Sequence, residues 1–331
     1  MSLQKAGLTI GLLLFLLSEN VQAALNRPVI EVGRPTVVHV VAAVLDVDRI
    51  NSAEQNFTLN LYTVFRWMDP SLAHTETGSV VRKLDEVWNP RLTIANTQRH
   101  WANSKDDVEI SPQGLVTYRL HVFGDFSQPM ELQDFPQDSH VFEVPIVAAG
   151  YRPDEVALRP DPHMDSFIAE KLSVADWKID NLQAMPRVVT LANGLKLAGF
   201  VVSFEGKRLL HHYVIKTIIP LALIVMMSWV VFWMDPKQVP NQLGVAVTTV
   251  LTLIAYHIAL SGRLPDIPYF THMDRFLFSA TILVFSSLIE VVLTSHLSTT
   301  DQLVKARRID KNARWLFPVL FILALIYSFV L

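Results

Sequence analysis

The sequence contains no cysteine among its 331 residues, and this absence excludes several kinds of site at once. Without thiols there is no disulfide bond, no thiolate metal ligand and no cysteine nucleophile. Glycine is sparse, at 12 residues, and no glycine-rich phosphate-binding loop is present. Any domain outside the cytoplasm must therefore be held together by core packing, which favours a sizeable β-sheet domain.

Recognisable catalytic and metal-binding motifs are also missing. No serine lies in a G-x-S-x-G turn, and the histidines are scattered without the close spacing of a zinc site. The acidic pairs Asp106/Asp107 and Asp161/Asp165 fall in predicted loops, where carboxylates are usually solvated. The sequence therefore argues against an enzyme, and we expect neither a cofactor nor a metal.

Apolar residues are abundant, at 51% of the chain, and they are concentrated in its last third. Four runs are long enough to cross a bilayer as helices, and they are predicted at 213–234, 238–261, 276–297 and 315–331. Five basic residues lie between the third and fourth runs: Lys305, Arg307, Arg308, Lys311 and Arg314. The positive-inside rule places this connection inside the cell. The N-terminal domain and the C-terminus are then on the outer, periplasmic side of the inner (cell) membrane.

The N-terminal part of the chain reads as a signal peptide followed by an outer domain. Residues 1–23 contain Lys5, a short apolar core and a small-residue cleavage site. A fifth membrane helix is the alternative, but an apolar run of roughly 11 residues is short for one. Residues 24–210 alternate in hydrophobicity between turn clusters and predict about ten strands. The predicted fold is an all-β, immunoglobulin-like sandwich followed by a transmembrane four-helix bundle, with α and β segregated.

The charge of the predicted outer domain is mildly acidic. Residues 24–210 carry 18 Lys and Arg against 24 Asp and Glu. This balance disfavours nucleic acid as a partner and raises the local concentration of cations. A solvated soluble surface accounts for the same balance equally well.

The second apolar run is the least hydrophobic of the four and has a distinctive stripe. Read at helical spacing, one face is small and partly hydroxylic: Pro240, Gly244, Thr248, Leu251, Ala255, Ile258 and Gly262. Small residues of this kind pack membrane helices closely together. The same stripe also suits a water-filled pore, in which rings of Leu or Ile close the passage by dewetting. The helix alone leaves both interpretations open.

Two ionisable residues lie within the predicted helices. Glu290, in the third run, is an intramembrane acid, for which a functional role and a local partner in the bundle are both open. His257 lies beside the stripe and points sideways, which favours a hydrogen-bonded packing residue over a proton sensor.

Several motifs in register resemble those of the pentameric ligand-gated ion channels of the Cys-loop receptor superfamily. Trp67–Pro70 resembles the W-x-D at the end of the second strand, and Trp88–Pro90 with Asn96 resembles the W-x-P…N of the first ligand loop. Phe135–Asp138 resembles the F-P-x-D of the signature loop, with Gln128 and Phe142 standing where the cysteine pair would be. Leu264–Tyr269 resembles the linker between the second and third helices. The chain is most similar to the bacterial branch, which lacks the cysteines and the large inner loop.

The resemblance implies a homopentamer in membrane lipid, with five copies of the second helix around an axial pore for inorganic ions. The stripe then becomes a series of rings, with Gly244 and Thr248 near the inner mouth and Leu251 as the hydrophobic barrier. It also implies coupling between the outer domain and the pore through an Asp138–Arg208 pair. The remaining residues implied at this contact zone are Asp46, Asp48, Phe135, Pro136, Pro265, Pro268 and Tyr269. A pair that only staples the two domains together is the alternative.

The resemblance is incomplete at the ligand site. Relatives that bind amines surround the cation with aromatic rings between subunits. Here two of the corresponding positions are Ala95 and Ala149. A different pocket is implied, with these candidate lining residues: Tyr62, Trp88, Tyr151, Trp177 and Phe200. The stimulus is left open between protons, a small acid and an amine.

Ion selectivity and the class of activity complete the expectations. Pro240 stands where many cation-selective relatives carry an acid, and the acidic outer domain favours cations. The alternative to a channel is a non-conducting membrane receptor, for which the short inner connection offers partners little surface.

Overall fold

The computed structural model describes residues 26–102, 105–190, 193–261 and 267–330, so the predicted signal peptide lies outside the described residues. Within them, strands come first and helices follow, as predicted. The strands are β1 Thr36–Asn51, β2 Asn56–Met68, β3 Val80–Lys83, β4 Leu92–Ile94, β5 Thr97–Ala102, β6 Asp107–Ile110, β7 Leu115–Ser127, β8 Ser139–Ala148, β9 Val156–Pro160, β10 Phe167–Ile168, β11 Trp177–Pro186, β12 Val189–Thr190, β13 Lys196–Leu197 and β14 Gly199–Arg208.

The strands form two main sheets. The larger sheet has eight strands in the order β10-β1-β2-β7-β6-β3, with β5 paired to β7 and β9 paired to β1. The smaller sheet has the order β11-β14-β8-β4, and β12 and β13 form a separate ribbon. The predicted all-β outer domain is therefore confirmed. The strands that exceed the predicted count of about ten are short edge segments, in which alternation is too brief to read.

Aromatic rings from both sheets form the centre of the sandwich. Phe57 belongs to the larger sheet, and its ring centroid lies 5.2 Å from that of Phe142 and 5.9 Å from that of Phe204, both in the smaller sheet. All three side chains are fully buried. The edge-to-face geometry adds a favourable electrostatic term to the area that these rings bury.

Gln128 holds together the loop that a disulfide closes in the Cys-loop superfamily. Its Nε2 donates to the carbonyl of Val141 at 2.5 Å, and its Oε1 accepts from the backbone N–H of Glu143 at 2.8 Å. Phe142, between these two residues, points into the aromatic core. A side-chain amide and a buried ring thus stand at the two positions where the resemblance places the cysteine pair.

Four helical spans follow the sandwich, and each is long and apolar enough to cross a membrane. The first span is Leu210–Trp233, the second Val239–Ser261, the third His272–Thr299 and the fourth Leu303–Phe329. The first span contains a π-helical turn, Val214–Ile218, immediately before Pro220. Because proline has no N–H and crowds the preceding turn, widening the helix at this point relieves the conflict.

Three spans begin earlier than the hydrophobic runs predict, and the first begins at Leu210 rather than at 213. The third begins at His272 rather than at 276 because Thr271 and Asp274 form a capping box, with the Asp274 N–H donating to Thr271 Oγ1 at 3.1 Å. The fourth begins at Leu303 rather than at 315 because its basic first turns are amphipathic. Ala306, Asp310 and Ala313 are buried on one side of these turns, and most of the basic residues are exposed: Lys305, Arg307, Arg308 and Lys311.

The third span is the centre of the bundle. It packs against each of the other three spans, and it is the most buried of the four. The second span uses one face for this packing and leaves the opposite face exposed in the single chain. The exposed face of the second span is the candidate site.

Candidate functional site

The predicted stripe of the second span lies on its exposed face. Pro240, Gly244, Thr248 and Ala255 are exposed, and Leu251 and Ile258 are 61% and 71% exposed. Gly262 lies outside the described residues. On the opposite face Gln242, Ala246, Thr249 and Leu253 are buried against the bundle. The polar and small residues that sequence periodicity singled out are therefore not needed for packing within the subunit.

A second exposed row flanks the stripe. It consists of larger apolar side chains, Leu243, Val247 and Ile254, each about 40% to 46% exposed. We call these three residues the side row. An exposed apolar row beside a small, hydroxylic stripe is suited to contact with another helix while the stripe faces a different environment.

Hydrogen bonds anchor the second span to its neighbours in the subunit. Tyr256 donates its hydroxyl proton to the carbonyl of Thr217 in the first span at 2.9 Å. His257 Nε2 lies 3.1 Å from Thr281 Oγ1 in the third span. His257 thus has the packing partner that its sideways direction predicts. The stripe hydroxyl of Thr248 donates to the carbonyl of Gly244 at 2.7 Å, within the helix.

Asp138 and Arg208 form a buried two-point ion pair at the junction of the sandwich and the bundle. Arg208 Nε donates to Asp138 Oδ1 at 2.7 Å, and one terminal nitrogen donates to Oδ2 at 2.8 Å. The same terminal nitrogen donates to Ser52 Oγ at 2.7 Å, and the other donates to Tyr213 Oη at 3.1 Å. Three side chains from three segments therefore meet at one guanidinium.

Aromatic rings enclose this pair. The Arg208 guanidinium carbon lies 4.1 Å from the ring centre of Trp177 and 4.8 Å from that of Phe135. Each ring offers its π face to the cation and keeps water away from the pair. His140 completes the shell, with Nε2 2.8 Å from Asp138 Oδ2.

The ionisation of Asp138 reflects this environment. Burial alone would raise its pKa, but hydrogen bonds from His140 and Arg208 and the Arg208 charge outweigh it and lower the pKa to about 2. Burial alone would lower the pKa of Arg208. The hydrogen bond to Asp138 and the charge of Asp138 outweigh burial and raise the pKa of Arg208. Both groups are therefore held charged in the interior.

The outer domain also reaches the third span directly. Tyr269 Oη accepts from the backbone N–H of Leu132 at 3.1 Å, and the N–H groups of His272 and Met273 donate to the carbonyls of Gln133 and Phe135. Pro136 lies in the same loop, after a cis peptide bond, and Pro268 is exposed. Pro265 lies outside the described residues.

Asp46 and Asp48, predicted in a turn at the contact zone, lie instead in strand β1, and they have other contacts. Asp46 accepts from Ser173 through both its N–H, at 2.7 Å, and its hydroxyl, at 2.6 Å. Burial alone would raise the pKa of Asp46, but the Ser173 hydrogen bonds lower it, whereas burial and the Asp46 contact raise the pKa of Asp48. Ser52, in the turn between β1 and β2, makes the contact to Arg208 instead. Ser52, Tyr213 and His140 carry no sequence signal for this role, because only the fold brings them to Arg208.

The structure separates the five predicted ligand-site residues. Trp88, Trp177 and Phe200 are at most 4% exposed and belong to the sandwich interior, which argues against a ligand-lining role for them. Tyr151 is partly exposed, and its hydroxyl accepts from Trp88 Nε1 at 3.0 Å.

Tyr62 lies in an open cavity on the outer surface of the larger sheet. The cavity has a volume of about 400 Å³ and contains charges of both signs. Its lining residues are Tyr62, Val81, Lys105, Asp107, Val108, Glu109, Arg119 and His121. Arg119 donates to Glu109 at 3.0 Å, and His121 Nε2 lies 2.7 Å from Asn60 Oδ1. In the part of the chain that the structure describes, no group of three or more His, Asp or Glu could hold a metal ion.

Two family models match the chain in the order of its two domains. The neurotransmitter-gated ion-channel ligand binding domain matches residues 13–193, and the neurotransmitter-gated ion-channel transmembrane region matches residues 217–302. The first of these alone covers more than half of the 331 residues.

Curated relatives give the same family. The human gamma-aminobutyric acid receptor subunit rho-1 is 25% identical over 281 residues, which are 82% of this chain and 59% of the relative. The human rho-3 and rho-2 subunits are each 24% identical, over 85% and 90% of this chain and 62% and 64% of their own lengths. The chain thus spans less than two thirds of the length of these relatives. Together with the domain order and the four helices of membrane-spanning length, these matches show that the chain belongs to the neurotransmitter-gated ion-channel family.

Proposed function

We propose that the chain is one subunit of a homopentameric channel that an extracellular small molecule opens. The observation that carries the proposal is the exposed stripe of the second span, which is small and hydroxylic below Leu251 and apolar at and above it. Around a fivefold axis this face lines a wet passage, and the side row contacts the next copy. Leu251 then forms a ring narrow enough to shed water and stop ions.

A non-conducting receptor is the second candidate, and the inner side of the bundle counts against it. The third and fourth spans are joined by residues 300–302 alone, so this connection offers a partner protein little surface. The basic residues Lys305 to Arg314 lie in the first turns of the fourth span, which supports an inner position for this end. The sandwich is then on the outer side of the cell membrane, after removal of residues 1–23.

The ligand class follows from the cavity that contains Tyr62. Arg119 and Lys105 offer donors to a carboxylate, Glu109 and Asp107 accept from an amine, and Tyr62 is an aromatic surface. A small amino acid carries both charges, and the relatives are named receptors for gamma-aminobutyric acid. We infer that the ligand is a zwitterion of this kind, held between this cavity and the Tyr151 side of the next copy.

The inner mouth of the pore argues against the cation preference that the acidic outer domain favours. Asp235 lies 3.8 Å from Arg307, whereas Lys237 is exposed. The first turn of the second span, Val239–Gln242, has no acid. Charges of the outer domain are many Debye lengths of about 8 Å away from this mouth, so the local charges dominate. We therefore propose anion selectivity in place of the cation expectation.

Purified protein in planar bilayers tests these proposals together. We expect currents on adding gamma-aminobutyric acid or a related amino acid, and a reversal potential in asymmetric NaCl that follows chloride. Arg119→Ala should raise the half-maximal concentration at least about tenfold, the cost of one charged hydrogen bond, and Tyr62→Ala should raise it because the aromatic surface is lost. Arg34→Ala, at an exposed ion pair with Glu31, is the control. A sodium-following potential rejects anion selectivity, and no current under any ligand or pH favours the receptor alternative.

A further inference from the structure

An open cavity of about 590 Å³ lies on the exposed face of the smaller sheet, where β8, β11 and β14 run side by side. Its volume is within the range of roughly 300 to 1,000 Å³ that small-molecule pockets have. It is separate from the cavity that contains Tyr62, which belongs to the larger sheet. The proposed amino-acid site therefore leaves this second cavity without a function.

The charged residues of this cavity form two rows across β11 and β14. In one row Lys178 lies opposite Lys207, and in the other Asp180 lies opposite Glu205. Two residues along each strand separate the rows, which is a distance of about 7 Å. Two cations and two acids leave the cavity without net charge. It is therefore suited to a ligand that carries one charge of each sign at a short separation.

The lysine row is the one nearer to the helical spans. Arg208 directly follows Lys207, and the first span begins at Leu210. Three residues of extended chain cover at most about 10 Å. The headgroup layer of a bilayer is about 5 to 7 Å thick on each side. A lysine ammonium on its flexible stem therefore reaches the headgroups when the first span crosses a membrane.

The four charged side chains keep capacity to bind a ligand. Lys178 Nζ lies 2.6 Å from Asp180 Oδ2, and Asn181 donates to Glu205 Oε2 at 3.0 Å. A carboxylate has two oxygens, so each acid can still accept through the other one. Lys207 is exposed, and its ammonium has no partner within the part of the chain that the structure describes. A strong donor is thus available at the end of the cavity that is nearer to the spans.

The first span continues from this end of the sheet with exposed apolar side chains. Ile215, Ile219 and Leu223 are each about 46% to 61% exposed. They lie at the depth of lipid acyl chains when this span crosses a membrane. An apolar surface directly below a zwitterionic cavity favours a lipid over a soluble zwitterion, which would contact the cavity alone.

We propose that this cavity binds the phosphoethanolamine headgroup of a membrane lipid. Lys207 and Lys178 hold the phosphate, and Ser139, opposite Lys207 in β8, donates its hydroxyl to it. Glu205 and Asp180 accept from the ammonium. In such a lipid the phosphate is next to the acyl chains and the ammonium is farther from the membrane, which is the order of the two rows. The site rests on the first span crossing a membrane, as in the proposed function, but it does not depend on conduction.

Native mass spectrometry of the detergent-purified full-length protein tests the site. The probes are phosphatidylethanolamine and phosphatidylglycerol with the same acyl chains, added separately and in competition. We expect the unaltered protein to prefer phosphatidylethanolamine. Lys207→Ala should weaken binding of both lipids at least about tenfold, the cost of one charged hydrogen bond. Lys196→Ala, at an exposed lysine of β13 outside the cavity, is the matched control and should change neither.

Glu205→Lys tests the other end of the headgroup. It should reverse the preference in favour of phosphatidylglycerol, because the cavity then holds three cations and one acid. Both substitutions are at exposed side chains, so the core is unchanged, and melting temperatures check that the variants fold.

Two results would overturn the site. One is the same binding of phosphatidylethanolamine by the unaltered protein, Lys207→Ala and Glu205→Lys. The other is displacement of this lipid by free phosphoethanolamine at an equal concentration, since the ligand would then be soluble. Gated currents from a protein without the lipid preference overturn this site and leave the channel proposal standing. The lipid preference in a protein that passes no current supports this site although the channel proposal fails.

Discussion

At the scale of single residues, Arg208 joins the sandwich to the first span. Its side chain is 2% exposed, and it binds Asp138, Ser52 and Tyr213 under the rings of Trp177 and Phe135. Breaking a buried pair leaves an uncompensated charge and costs about 3 to 5 kcal/mol, much more than breaking an exposed one. The pair can therefore be tested by comparing the loss of stability when it is broken with the loss when an exposed pair is broken.

We predict that Asp138→Asn destabilises the protein by about 3 kcal/mol because Arg208 loses its counter-charge. Thermal unfolding of the purified protein measures this. Glu143→Gln, which removes an exposed pair with Arg187, is the control and should cost less than about 1 kcal/mol. Equal effects of the two changes would contradict the prediction. If the Asp138→Asn protein assembles but does not open, the pair couples the outer domain to the pore. If the variant does not assemble, the pair only holds the two domains together.

The low pKa of Asp138 also predicts a pH dependence. Its folded-state pKa of about 2 is below the ordinary value of 3.8, so its stabilisation is complete above about pH 4 and is lost as pH falls towards 2. The difference corresponds to about 2 kcal/mol. Melting temperatures between pH 5 and pH 3 should therefore decline less in Asp138→Asn than in the unaltered protein. A parallel decline in both would count against this assignment.

Gln128, at the end of β7, is joined to β8 by two hydrogen bonds, one to Val141 and one to Glu143. We predict that Gln128→Ala destabilises the protein by about 1 to 3 kcal/mol, since the backbone groups at Val141 and Glu143 lose their partner. Hydrogen exchange at Glu143 should accelerate, which mass spectrometry of the intact protein measures. Gln113→Ala, at an exposed turn, should change neither quantity. Unaltered exchange at Glu143 would show that Phe142 alone holds the loop.

At the scale of elements, one face of the second span is buried against the bundle, and the opposite face is exposed in the single chain. We predict that Leu251→Thr shifts gating towards the open state, because a hydroxyl in the narrowest ring makes it easier to wet. Single-channel open probability is the measurement. Ile254→Thr, in the side row and 46% exposed, is the matched control. A larger shift from Ile254 than from Leu251 would mean that the helix is rotated from the proposed orientation.

At the scale of the whole molecule, one chain leaves the second span incompletely covered. Its stripe and its side row are both exposed. A membrane helix whose exposed face carries threonine is more stable when that face contacts protein or water than when it contacts lipid. We predict a native mass of about five times the mass of one chain in detergent, as family membership implies. Native mass spectrometry checks this. A monomer in every detergent, with the stripe in lipid, would remove the basis for a pore.

The sequence by itself determined the order of domains, the four spans and the stripe of the second span. These depend on hydrophobic periodicity and run length, which are local properties that a neighbouring element does not change. It also indicated Asp138 and Arg208, through motifs rather than through any local rule. The start of the fourth span was missed because a helix with five basic residues is less apolar than the run that follows it.

Only the tertiary structure decided which side chains meet. Trp177 and Phe200 follow the same strand pattern as a pocket residue, but the fold places one over Arg208 and the other inside the sandwich. Ser52, Tyr213 and His140 are ordinary in the sequence, but the fold brings all three to the Asp138–Arg208 pair. Contacts between distant segments depend on how whole sheets and helices pack, and local sequence carries no record of that arrangement.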